Sequence, residues 1–121
     1  MKIILISDDR ELLSAAEDAY KLTDELATFS NWQQALDQSA GAELIIVDLI
    51  STLEEPHVIE GYEKFGLTKM AHPTAKDVPV VLIAPPADYD LDYMVGWPNF
   101  LHGMVRRPVT MKIFRRISTW V

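Results

Sequence analysis

The chain has 121 residues, no cysteine, a formal charge of −7 and 49% hydrophobic residues, a length and balance that make one domain (1–121) with a real core and exclude a disordered chain. The missing thiols exclude a disulfide frame and a thiolate metal site, and no apolar run is long enough for a transmembrane helix. "MKIILISDD" stays apolar for four residues before turning acidic, too few for a signal peptide, so a cytoplasmic protein is expected.

"KIILIS" (2–7) reads as a buried strand. A helix follows through "DRELLSAAEDAYKL", with Leu12, Leu13, Ala16, Ala19 and Tyr20 on one face and Asp8 or Asp9 capping its start. "ELATFS" (25–30) is a second strand. "NWQQALDQSAG" is a helix with Trp32, Ala35 and Leu36 inward and Gly41 closing it. "ELIIVD" (43–48) is apolar on both faces, as a central parallel strand is. "STLEEP" reads as a loop. From Pro56, Val58, Ile59, Tyr62, Phe65 and Met70 keep helical spacing, against the low propensity of Gly61 and Gly66. "AHPTAKD" is a loop and "VPVVLI" (78–83) the fourth strand. "DYDLDYM" reads as a short helix and "NFLHGMV" (99–105) as a fifth strand, with Phe100 and Met104 in the core. Pro108 stands near the start of a last helix with Met111, Phe114, Ile117 and Val121 inward. This alternation predicts an α/β domain built on a parallel sheet with helices on both faces.

Charge is unevenly placed. All 18 acids lie at or before Asp92, against six bases, while the tail carries Arg106, Arg107, Lys112, Arg115 and Arg116 and no acid. The acidic body would repel phosphates, so neither nucleic acid nor membrane is an expected partner.

Ligands of an open parallel sheet bind at the carboxyl ends of its strands. Those ends carry Asp8 and Asp9, then Asp48, then Ala84, then Arg106 and Arg107. Carboxylates crowded at one rim repel each other, and Mg²⁺ with oxygen ligands would relieve them. The bland alternatives are helix capping for Asp8 and Asp9 and a plain strand stop for Asp48. Arg107 is expected in the pocket, paired with Asp48. Arg106, Arg115 and Arg116 are expected to be solvated, His57 to lie on a surface loop, and Tyr89, Tyr93 and Trp97 to offer an aromatic patch. No glycine-rich phosphate cradle, histidine pair at helical spacing or nucleophile–base pair is present.

"LISDD", "IIVDL", "VPVVLIA" and "GMVRRP" together resemble the receiver domain of two-component response regulators, over nearly the whole chain. The resemblance implies a (βα)5 flavodoxin-like three-layer sandwich with strand order 2-1-3-4-5. It implies that Asp48 accepts a phosphoryl group from a histidine kinase. It also implies that Asp8, Asp9, Asp48 and the carbonyl of Ile50 bind Mg²⁺. The chain departs from the family at four positions, and the stretch between Asp48 and the fourth strand is somewhat longer than usual. Ala84 stands where a Ser or Thr hydroxyl is usual and Arg107 where a Lys is usual. Met104 falls at the switch aromatic, and Thr52 at the proline after the acceptor.

Two function classes follow: a phosphoacceptor receiver acting on Asp48, and an atypical receiver that works as a protein-interaction module with impaired phospho-switching. Ala84, Arg107 and Met104 favour the second. A small flavodoxin-like enzyme is a weaker third. The expected partner is a histidine kinase or an output protein. A weak homodimer is also expected, through the face of the fourth helix, fifth strand and last helix. There Asp88, Asp90 and Asp92 of one copy would oppose Lys112, Arg115 and Arg116 of the other.

Overall fold

The computed structural model describes residues 1–55, 58–86 and 101–121. Five strands, β1 (Lys2–Ile6), β2 (Glu25–Phe29), β3 (Leu44–Asp48), β4 (Val80–Ala84) and β5 (Gly103–Arg106), pair in parallel in the order β2-β1-β3-β4-β5. The helices are α1 (Arg10–Tyr20), α2 (Trp32–Asp37), the single turn α3 (Leu49–Thr52), α4 (Glu60–Ala71) and α5 (Met111–Ser118).

Strands that are apolar at every position need cover on both faces, and the alternation of side chains divides their residues between two layers. Ile4, Ile6, Ile45, Val47, Val80 and Leu82 point to one face, where Trp32 and Leu36 of α2 and Tyr62 and Phe65 of α4 cover them. Ile3, Leu5, Leu44, Ile46, Val81 and Ile83 point to the other, under Leu12, Ala16 and Tyr20 of α1 and Phe114 and Ile117 of α5. On this second face the hydroxyl of Tyr20 donates to the backbone carbonyl of Phe114, and the two rings meet edge to face at 6.1 Å. That bond gives the buried phenol the partner it needs.

One of the two glycines that weakened the α4 reading, Gly61, turns out to be what seats the helix. A Cβ on Gly61 would lie 2.1 Å from the carbonyl oxygen of Thr52, so only glycine lets α4 approach α3 this closely. Tertiary contact here outweighs helix propensity.

Other boundaries differ from the sequence reading. Helix α2 stops at Asp37, and Gly41 supplies a positive φ of 78° in the turn leading to β3 instead of capping the helix. The first residues of "STLEEP" belong to the turn α3, and α4 starts at Glu60. Helix α5 begins at Met111 with Thr110 as its cap, so Pro108 lies before it; the helix ends at Ser118, which leaves Val121 exposed, not inward. Met104 is not core: it is 42% exposed, because β5 is an edge strand with one sheet neighbour. Met70 is likewise 40% exposed. His57, the expected helix over 88–94 with its acids and tyrosines, Trp97 and Phe100 lie outside the described residues.

Candidate functional site

The order β2-β1-β3 puts the reversal of winding between β1 and β3, and the carboxyl ends of these two strands open the crevice where such sheets place ligands. Ser7, Asp8 and Asp9 follow β1, Asp48 ends β3, Ala84 ends β4, and Arg107 follows β5. The backbone N–H of Arg107 donates to the carbonyl of Ala84 at 3.1 Å, which aims its side chain back across the rim.

Arg107 joins the pocket together. One terminal nitrogen donates to Oδ2 of Asp9 and the other to Oδ2 of Asp48, the latter at 2.5 Å. The planar fork of a guanidinium can serve two carboxylates at once; a lysine ammonium on its flexible stem offers no such pre-set geometry. Asp48 is 1% exposed. Its Oδ2 also accepts the hydroxyl of Ser7 at 2.9 Å, while its Oδ1 is buried without a hydrogen-bond partner among the described residues. The Nε of Arg107 is likewise unpartnered.

Asp9 does two things. Its Oδ1 accepts the N–H groups of Glu11, at 2.9 Å, and Leu12, at 3.4 Å, capping α1, while its Oδ2 holds Arg107. Capping and ion pairing are thus compatible because each uses its own oxygen. Asp8 is exposed, and Ser51 lies 3.4 Å from both Asp8 Oδ1 and Asp48 Oδ2, able to donate to one at a time.

The pKa values of the two paired carboxylates are shifted in opposite directions. The hydrogen bond from Arg107 holds Asp9 below the ordinary carboxylate range. Burial pushes Asp48 up, and the charge of Arg107 and the hydroxyl of Ser7 offset this only in part. Burial disfavours the charge on Arg107, but the two acids together outweigh it and its pKa is raised.

The residues implied for Mg²⁺ do not fit a divalent ion in this arrangement. Both oxygens of Asp9 are engaged, Oδ2 of Asp48 is shared by Ser7 and Arg107, and the carbonyl of Ile50 accepts the N–H of Leu53 at 3.2 Å. Among the described residues no group of three His, Cys, Asp or Glu side chains is disposed to hold a metal. His72, the C-cap of α4, accepts the N–H groups of Thr74 and Ala75 and faces Asp37 at 3.1 Å. His102 faces the carbonyl of Trp120 at 2.7 Å. Ala84 is fully buried in the layer under α2 and α4 and presents no hydroxyl to the pocket.

Ser7 and Ser51 are the site residues that sequence reasoning missed. The available signal was position: one hydroxyl directly after the aliphatic run Ile3–Ile6, the other one turn beyond Asp48.

No family model and no curated protein matches the chain. Solved structures do. The chemotaxis response regulator CheY4 of Vibrio cholerae superposes with a TM-score of 0.73 at 14% identity, over 99% of this chain and 98% of that one. The response regulator DrrB of Thermotoga maritima gives 0.67 at 20% identity over 95% of this chain, which spans 49% of DrrB. NtrX of Brucella abortus gives 0.70 at 15% identity over 98% of this chain, which spans 25% of NtrX. With five parallel strands in the same order and helices on both faces, the chain has the flavodoxin-like fold of the response-regulator receiver domains.

Proposed function

We propose that this is a receiver-like signalling domain that works as a protein-interaction module in the cytoplasm, with its phospho-switch impaired. The observation that carries this reading is the Arg107 fork spanning Asp9 and Asp48. A phosphoryl group arriving at Asp48 would have to displace a buried ion pair. It would then find Ala84 where a hydroxyl could have bonded it. A hydrogen bond to a charged group is worth about 1.5–3 kcal/mol, comparable to the coupling free energy of a typical allosteric switch.

A second reading, phosphoacceptance from a histidine kinase, is favoured by one observation: Oδ1 of Asp48 has no hydrogen-bond partner among the described residues. That oxygen would attack phosphorus while the bond from phosphorus to its donor breaks. Acetyl phosphate labelling followed by intact mass separates the readings. The first expects no added phosphoryl mass, with or without Mg²⁺. A stoichiometric adduct that disappears in Asp48→Asn establishes the second.

The partner surface in this reading is the face that includes β5 and α5. Lys112, Arg115 and Arg116 are exposed on α5, and Met104, Trp120 and Val121 add exposed apolar surface nearby in the chain. Exposed ion pairs contribute little, about 0–1 kcal/mol each, so the apolar residues would supply most of the affinity for a second copy, a histidine kinase or an output protein. Sedimentation at low and high salt tests the homodimer. A monomer at both, unchanged by Arg115→Glu, excludes it.

A further inference from the structure

We propose that Arg107 is the resident cation of the acidic pocket, standing where a divalent ion would otherwise sit and closing the site to it. Asp9 and Asp48 come from the ends of two neighbouring strands and share one counter-ion; both of their ion pairs among the described residues are with Arg107. Asp48 is buried, and a buried carboxylate keeps its charge only with a partner. The fork satisfies one oxygen of each acid and leaves Oδ1 of Asp48 without a hydrogen-bond partner among the described residues. With Arg107 removed, the same place would hold two neighbouring carboxylates without a counter-ion, an unpartnered oxygen inside and exposed Asp8 at the mouth. All of these are hard oxygen donors of the type that takes Mg²⁺ or Mn²⁺. The cation requirement of this pocket is therefore met from within the chain, and the pocket's state is independent of free divalent ion.

This inference deepens the reading of the pocket given above, but its test reads cation binding instead of phosphoryl acceptance, so the two fail separately. The wild-type chain, Asp48→Asn, Arg107→Ala, Arg107→Gln and the double variant Arg107→Ala with Asp48→Asn are titrated with Mn²⁺ by calorimetry and melted with and without Mg²⁺. Wild type is expected to show no saturable binding in the millimolar range and no shift in Tm. Arg107→Ala is expected to bind Mn²⁺ at least roughly thirtyfold more tightly, the factor that removing one positive charge about 4 Å from a doubly charged ion gives even in water. The double variant is expected to lose that gain. If Arg107→Ala does not fold alone, Arg107→Gln, which keeps hydrogen-bond donors at the site, carries the same comparison, and refolding of either by Mn²⁺ supports the proposal. Saturable binding to the wild type that Asp48→Asn abolishes overturns it. So do Arg107 variants that neither bind the ion nor are rescued by it.

Discussion

Ser7 donates its hydroxyl to Asp48 at 2.9 Å and accepts the backbone N–H of Asp9 at 3.0 Å, so a single side chain links the ends of β1 and β3 beneath the ion pair. Ser7→Ala removes a buried hydrogen bond to a carboxylate and is expected to cost about 1.5–3 kcal/mol of stability. Ser51→Ala removes long contacts from a half-buried position, 3.4 Å to Asp48 or Asp8 and 3.3 Å from the backbone N–H of exposed Asp8, and should cost less than about 1 kcal/mol. Urea denaturation of the two variants side by side checks this; equal losses would show that Ser7 is not special to Asp48.

The pH dependence of stability should separate Asp9 from Asp48. Asp9 has a depressed pKa, so the stability it contributes is present above the ordinary value of 3.8 and is lost as pH falls through its lowered value. Asp48 has a raised pKa, so its contribution is fully present below 3.8 and is lost as pH rises through its raised value. Wild type should therefore gain on Asp9→Asn and lose on Asp48→Asn as pH climbs through the acid range. Asn caps helices as well as Asp does, so the first variant keeps α1 intact. Urea midpoints across that range give the two slopes, and slopes of the same sign contradict the assignment.

Gly61→Ala should destabilise although alanine is the better helix former. The propensity gain is about 1 kcal/mol, whereas the new Cβ would overlap the carbonyl of Thr52, which is backbone and cannot swing aside. Overpacking of this kind costs roughly 1–3 kcal/mol or more. A lowered Tm is expected, and a raised one would show that α3 can retreat.

Tyr20→Phe keeps the ring contact with Phe114 and deletes only the hydroxyl that donates to the Phe114 carbonyl. The expected loss is about 1–2 kcal/mol. Faster amide exchange along α5, at unchanged exchange in α2, would place the loss on the face where α1 meets α5.

The parts of the fold that were legible in the sequence are those where one strong signal decides. Strands β1, β3 and β4 are runs of aliphatic residues that only a covered parallel sheet buries, and their carboxyl ends put the acids at one rim. The strand order came from resemblance, since periodicity carries no pairing information. Met104 misled because apolar character was read as burial, which an edge strand does not guarantee. Gly61 misled because its role depends on a carbonyl from another element. Ser7 and Ser51 went unread because hydroxyls near turns usually bond their own backbone, and nothing in the spacing says that a distant carboxylate will be within reach.

The pocket's ion pairs also bear on how the chain folds. Arg107 lies 98 residues from Asp9 and 59 from Asp48, and it hangs from the edge strand β5, whose place depends on β4 already standing beside β3. Contacts of such separation are made only after much loop entropy has been lost. The Arg107 fork is thus expected to close late, after the folding transition state. Its free energy should act on the unfolding rate alone: Arg107→Ala should shorten the lifetime of the native state while refolding proceeds at the wild-type rate. Stopped-flow kinetics in denaturant distinguish this from a fork that forms early, which would slow refolding instead.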